Sequence, residues 1–130
     1  MYKFEAYGHE NITARNKTTL EFTKDRDVTL KGDCIIGVKA DFSLQSIKNF
    51  IKDLKNKKIK IIIKANDFTE EINAEINSGF NSDKDMVIRK SDFKDGRTFA
   101  VRADKAAADL KRGFVGHLSA GNSLISVILK

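Results

Sequence analysis

Between Met86 and Arg112 two apolar runs break off into charge. Met86-Val87-Ile88 leads into Arg89, Lys90, Ser91 and Asp92, and Phe99-Ala100-Val101 leads into Arg102, Asp104 and Lys105. If both runs are strands, their ends can deliver cations and carboxylates to one edge. Arginine presents a rigid planar fork that meets a carboxylate or phosphate at two points. Three of the six arginines, Arg89, Arg97 and Arg102, lie between Met86 and Lys105. Arg89, Lys90, Ser91, Arg97, Asp104 and Lys105 therefore form a candidate pocket for an anionic ligand, with Lys17 and Thr18 as secondary contacts. The competing reading is an internal ion-pair network with Asp92, Asp95, Asp104 and Asp109. The local charges nearly balance, so residue types alone do not choose between the two.

A second candidate is acid–base chemistry at His9 and Glu10, oriented by Asp33 or Asp104. His9 and Glu10 are adjacent, so on a strand they face opposite ways and cooperate only if Gly8 starts a turn. The plainer alternative has His9 and Asn11 bonding loop backbone, and Asp33 serving as a turn carboxylate that bonds amides. The catalytic candidates are thus His9, Glu10 and Asp33. Two histidines and one cysteine cannot make a zinc site without added carboxylates, so no metal is expected. No cofactor fingerprint is present either. Cys34 lies in an apolar run and reads as a small core residue rather than a nucleophile.

These candidates need elements to position them. Tyr2, Phe4 and Ala6 alternate with polar residues, as do Leu20 and Phe22, which is the period of half-buried strands. Cys34–Val38, Ile59–Ile63 and Leu124–Leu129 are denser apolar runs suited to central strands. Phe68–Ile76, Met86–Arg89 and Thr98–Arg102 complete about eight strands. Ile47, Phe50, Ile51 and Leu54 recur at helical spacing, which predicts an amphipathic helix over about 44–56 capped by Ser43 or Asp41. Asp104 is expected to cap a short second helix running to Lys111 and ended by Gly113. The fold class is mainly β, α+β by content, in one domain over 1–130, with a sandwich or barrel as its closure.

The net charge of +6 is concentrated. Residues 48–64 hold seven lysines (Lys48, Lys52, Lys55, Lys57, Lys58, Lys60 and Lys64) against Asp53 alone, and the remainder of the chain is neutral. This face has no arginine and no exposed aromatic, unlike a surface that grips phosphates and stacks bases. It reads as a solvated face, and specific nucleic-acid binding is not expected. One cysteine excludes an internal disulfide framework, and the opening Met-Tyr-Lys-Phe-Glu-Ala-Tyr has no apolar signal region, so a cytoplasmic protein is expected. No apolar run approaches the roughly 20 residues of a membrane span.

Five blocks of residues carry a further signal. They are Gly8-His9-Glu10-Asn11-Ile12, Lys17 to Thr23, Gly32 to Val38, Arg89 to Asp92 with Arg97-Thr98, and Ala103 to Ala107. Together they resemble, over nearly the whole chain, an archaeal family of small proteins classed as a domain of unknown function. The resemblance implies an archaeal cytosolic protein with a jelly-roll-like β-sandwich, and it implies no activity. The leading expectation is a binding domain for a small anionic ligand bearing phosphate or carboxylate. The alternatives are an enzyme working through His9 or Glu10 with Asp33 or Asp104, and a weak nucleic-acid-associated protein using the Lys48–Lys64 face. Oligomeric state is not legible.

Overall fold

The computed structural model describes residues 1–130. The alternating segments become strands β1 (Tyr2–Tyr7), β2 (Thr19–Thr23), β3 (Ile35–Gly37), β4 (Lys58–Ala65), β5 (Phe68–Ile76), β6 (Asp85–Arg89), β7 (Thr98–Val101) and β8 (Leu124–Leu129). Two helices, α1 (Leu44–Asp53) and α2 (Arg112–Leu118), and a 3-10 turn at Ala107–Asp109 complete the chain. No helix is long and apolar enough to cross a membrane.

All eight strands belong to one mixed sheet in the order β1-β8-β4-β5-β7-β6-β2-β3. Neighbours are antiparallel except β2 with β3 and β6 with β7, which run parallel. A parallel pair needs a long crossover, here the 24–34 and 90–97 segments. The two edges of the sheet then meet, because Val38, the residue after β3, makes an antiparallel bridge with Tyr7 at the end of β1. Both bridge hydrogen bonds are 2.8 Å. The sheet thus closes on itself. A jelly-roll sandwich divides into two antiparallel sheets, whereas here the ladder is continuous and contains two parallel pairs. That architecture follows from the crossovers, which the strand period does not encode.

Alternation turns Phe4, Ala6, Leu20, Phe22, Ile61, Ile63, Ile72, Met86, Ile88, Ile125, Val127 and Leu129 inward, into one apolar cluster of 33 buried residues. The helices cover opposite ends. At one end Ser43 caps α1 by accepting the Ser46 N–H at 3.2 Å. This lays Ile47 fully against the core, with Phe50, Ile51 and Leu54 half-buried beside it, next to Phe42 and Phe80. At the other end Phe114 of α2 stacks on Phe68 at the start of β5, ring centres 5.9 Å apart. The interior is filled by side chains, as small barrels are, so a binding site has to lie on the outside.

The second helix differs from expectation. Asp104 does not cap one; its carboxylate accepts the backbone and side-chain N–H groups of Asn73, each at 3.0 Å. Only the 3-10 turn forms within 104–111, and α2 follows it with Gly113 in its first turn rather than after its end. Asp109 makes the local cap, accepting the Ala106 N–H at 2.9 Å.

Candidate functional site

Because β6 and β7 are parallel neighbours, their charged tails emerge at the same edge. The Arg102 N–H donates to the Ser91 carbonyl at 2.9 Å and the Ala103 N–H to the Arg89 carbonyl at 3.0 Å. Thr18 joins them, its carbonyl accepting the Lys90 N–H at 2.9 Å. The cations are then partnered one by one. Arg89 reaches Thr98 Oγ1 at 2.8 Å and Asp95 at 3.4 Å, Lys90 reaches Asp109 at 2.7 Å, Arg102 reaches Glu75 at 2.7 Å, and Lys105 reaches Glu70 at 3.0 Å. Arg97, at the opposite end of β7, holds Glu21 at 3.0 Å and Asp85 at 3.3 Å. Ser91 Oγ is occupied by the Phe93 N–H, and Lys17 is exposed with no carboxylate partner. The residues named for an anion pocket are brought together, Arg97 and Lys17 excepted, but as an ion-pair network.

Beneath Arg97 is a feature the strand pattern hides. Glu21 points away from the core yet is only 7% exposed, between Asp85, Arg97 and Cys34. Burial first, then the neighbouring Asp85 carboxylate, push its pKa from 4.5 up to about 7, with Arg97 acting in the opposite direction. The Cys34 thiol lies 3.9 Å from Glu21 and is pushed up by burial and that carboxylate, so it is no thiolate nucleophile.

The more open chemistry lies over the closing bridge of the sheet. Gly8 follows Tyr7 and Lys39 follows Val38, and these two residues begin opposite walls of a cleft of about 500 Å³ that also takes in His9, Glu10, Arg26, Asp27, Gly121 and Asn122. No apolar side chain lines it. Gly8 is required by close approach: a Cβ there would collide with the Leu118 carbonyl oxygen and lie 2.7 Å from Ser123 Oγ. Lys39 has a left-handed backbone, φ 51°, a conformation that non-glycine residues adopt at a cost. Its ammonium is thereby turned to Asn122 Oδ1 at 2.8 Å. Neither Lys39 nor Arg26 has a carboxylate within 4 Å.

His9 enters this cleft in a defined tautomer. The Asn11 N–H donates to its Nδ1 at 3.0 Å, so Nδ1 carries no hydrogen and the Nε2–H faces Asp27 at 3.3 Å. The turn after Gly8 does bring His9 and Glu10 to the same cleft. The expected orienting carboxylates are elsewhere: Asp33 accepts from Asn16 Nδ2 at 3.2 Å, and Asp104 is engaged by Asn73. No group of three or more histidine, cysteine or acidic side chains is arranged to hold a metal ion.

Residues 4–130 match the family model described as Domain of unknown function (DUF371). The chain belongs to DUF371. It is also 40% identical over 129 residues, 96% of each chain, to the "Uncharacterized protein MJ0206" of the archaeon Methanocaldococcus jannaschii. The resemblance read from the five residue blocks is borne out by both findings.

Of those DUF371 blocks, the one containing Gly8, His9 and Glu10 lines the cleft. The Arg89 and Ala103 blocks form the ion-pair edge, and Glu21 of the second block approaches Cys34 of the third. Sequence reasoning passed over Arg26, Asp27, Lys39, Glu21 and Asp85. A run of five charged residues between Lys24 and Lys31 was available as a sign of an exposed loop, but nothing local shows that Lys39 meets it.

Proposed function

We propose that this protein is a small oxyanion-binding domain whose ligand, a phosphate- or carboxylate-bearing small molecule, sits in the cleft over the sheet closure. The observation that carries this reading is that Lys39 and Arg26 face one polar cleft without any carboxylate partner, beside the Nε2–H of His9. Elsewhere, the cations at the ends of β6 and β7 are already matched by acids, which favours this cleft over that edge. The absence of apolar lining favours a compact polar ligand over a greasy one. The cytoplasm is the proposed setting, supported by the single free cysteine.

Two or three charge-assisted hydrogen bonds, each worth about 1.5–3 kcal/mol, imply a dissociation constant for a bare oxyanion in the millimolar to micromolar range. Inorganic phosphate titrated into the native protein, followed by the ¹H–¹⁵N signals of His9, Lys39 and Asn122, should shift them saturably. Lys39→Gln and Arg26→Gln should each weaken binding by about tenfold, the loss of about 1.4 kcal/mol. Signals that stay put at roughly ten times a millimolar dissociation constant, for phosphate and for a small dicarboxylate alike, would overturn the reading.

A further inference from the structure

We infer that Asp27 is a built-in stand-in for the ligand, an exposed carboxylate that takes the oxyanion position of the cleft and must leave when a ligand enters. The inference rests on the oxyanion reading above and adds how that site is regulated.

The contact between Asp27 and His9 lacks the marks of a structural pair. The Asp27 side chain is 92% exposed, and its one polar partner is His9 Nε2 at 3.3 Å. A contact whose carboxylate lies almost wholly in water contributes little to stability. His9 does not need Asp27 to keep its place. Its ring is fixed by the Asn11 N–H on Nδ1, its own N–H donates to the Leu118 carbonyl at 3.0 Å, and its carbonyl accepts the Ile12 N–H at 3.0 Å. The side chain is only 17% exposed, and that remaining opening faces the cleft.

The backbone beside Asp27 is, in contrast, pinned. Asn11 Nδ2 donates to the Val28 carbonyl at 3.0 Å, and the Val28 side chain is buried. Asp27 is therefore tethered within reach of His9 while its carboxylate stays free to swing into water. A carboxylate is itself an oxyanion, and this one sits at the only ring N–H that points into the cleft, with Lys39 and Arg26 unmatched beside it. An incoming oxyanion competes with Asp27 for that N–H, and it gains the two cations that Asp27 does not engage.

The test is phosphate affinity at matched ionic strength for the native protein, Asp27→Asn, Asp27→Ala and Asp25→Asn. Asp25 is an exposed acid two residues away that pairs with Lys84 at 3.2 Å, so its variant reports the effect of net charge alone. Both Asp27 variants should bind phosphate about two- to fivefold more tightly, as expected when a competing exposed carboxylate is removed from the His9 Nε2–H. Asp25→Asn should change affinity by less than about half as much. Weaker or unchanged binding in both Asp27 variants, with native binding intact, would overturn the stand-in and leave the oxyanion reading in place. An equal gain in Asp25→Asn would overturn it as well. No binding by any of the four proteins would overturn the oxyanion reading and this inference with it.

Discussion

Two cation-rich regions of this molecule contrast in what their charges are doing. At the ends of β6 and β7, Arg89, Lys90, Arg102 and Lys105 come from two adjacent segments, and each cation has a carboxylate within 4 Å: Asp95 and Asp109 of the same stretch, and Glu75 and Glu70 of β5. Over the sheet closure, Arg26 and Lys39 are each delivered by a separate segment, and neither has one. Cations that lie along a sheet edge beside acids of their own stretch and of the neighbouring strand are neutralised in the fold. Arg26 is left available although Asp25 and Asp27 flank it, because Asp25 pairs with Lys84 and Asp27 meets His9 instead. Because Asp95, Asp109 and the β5 acids Glu70 and Glu75 already occupy these cations, that edge makes a poor receptor.

The largest expected effect breaks the balanced region. Lys105→Met leaves the Glu70 carboxylate, only 1% exposed, with the Lys111 N–H as its remaining donor, and should cost about 3–4 kcal/mol in denaturant unfolding. A loss below about 1 kcal/mol would mean that the pair is not a structural one.

Next comes the dependence on pH. Glu21 has its pKa raised in the folded protein, so between 4.5 and about 7 the unfolded chain releases a proton that the folded chain keeps. Stability is therefore fully present below pH 4.5 and falls as pH rises to 7, by about 3 kcal/mol in all. Glu21→Gln should flatten this slope, and urea midpoints from pH 4.5 to 8 would show it. Asp95 and Asp109 act the other way: Thr98 and Lys90 respectively hold their carboxyls below the usual range, so they destabilise only in more acidic solution.

Smaller still is Arg89→Ala, which takes one partner from a half-exposed Asp95 that keeps the Thr98 hydroxyl and the Arg97 N–H, removes the cation from the face of Phe93, and should cost about 1–2 kcal/mol. Phosphate should leave the melting temperature of this variant and of Arg89→Lys shifted as in the native protein. A phosphate response abolished by Arg89→Lys would return the ligand to the β6–β7 edge. At the bottom of the scale, Lys39→Gln should change stability by less than about 0.5 kcal/mol while removing most of the phosphate response. Lys52→Gln, on the wet face of α1, should alter neither.

The strands were legible because period two is local: eight were expected and eight form, with boundaries shifted by a residue or two. Helix α1 was legible through Ile47, Phe50, Ile51 and Leu54. Helix α2 was not, since Gly113 and Gly116 read as breakers and its Phe114, Val115 and Leu118 span little more than one turn. The pairing order was hidden because nothing in Met86–Ile88 or Phe99–Val101 states which strand lies alongside. The ion-pair edge was legible as a set of residues, and the expected partners Asp95 and Asp109 do take Arg89 and Lys90. Lys105 and Arg97, however, find their acids outside that set, in Glu70 and in Glu21 with Asp85. The cleft was only half legible. His9 and Glu10 stood out, but Lys39 reaches them through a left-handed backbone that an ordinary lysine codon does not announce, and Glu21 looked like a routine outward residue.

The strand order also sets a timetable for synthesis. β1 pairs with β8, and Tyr7 faces Leu124 in that ladder. On a ribosome adding about 5–20 residues per second, β1 emerges on the order of 6–25 s before its partner exists. For that interval it is a bare edge, open to any other nascent chain. Lys3 and Glu5, exposed on its outer face, keep that side of the waiting strand charged and hydrated, which blunts hydrophobic association at the edge. The alternation that marks β1 as a strand is thus also its protection during translation.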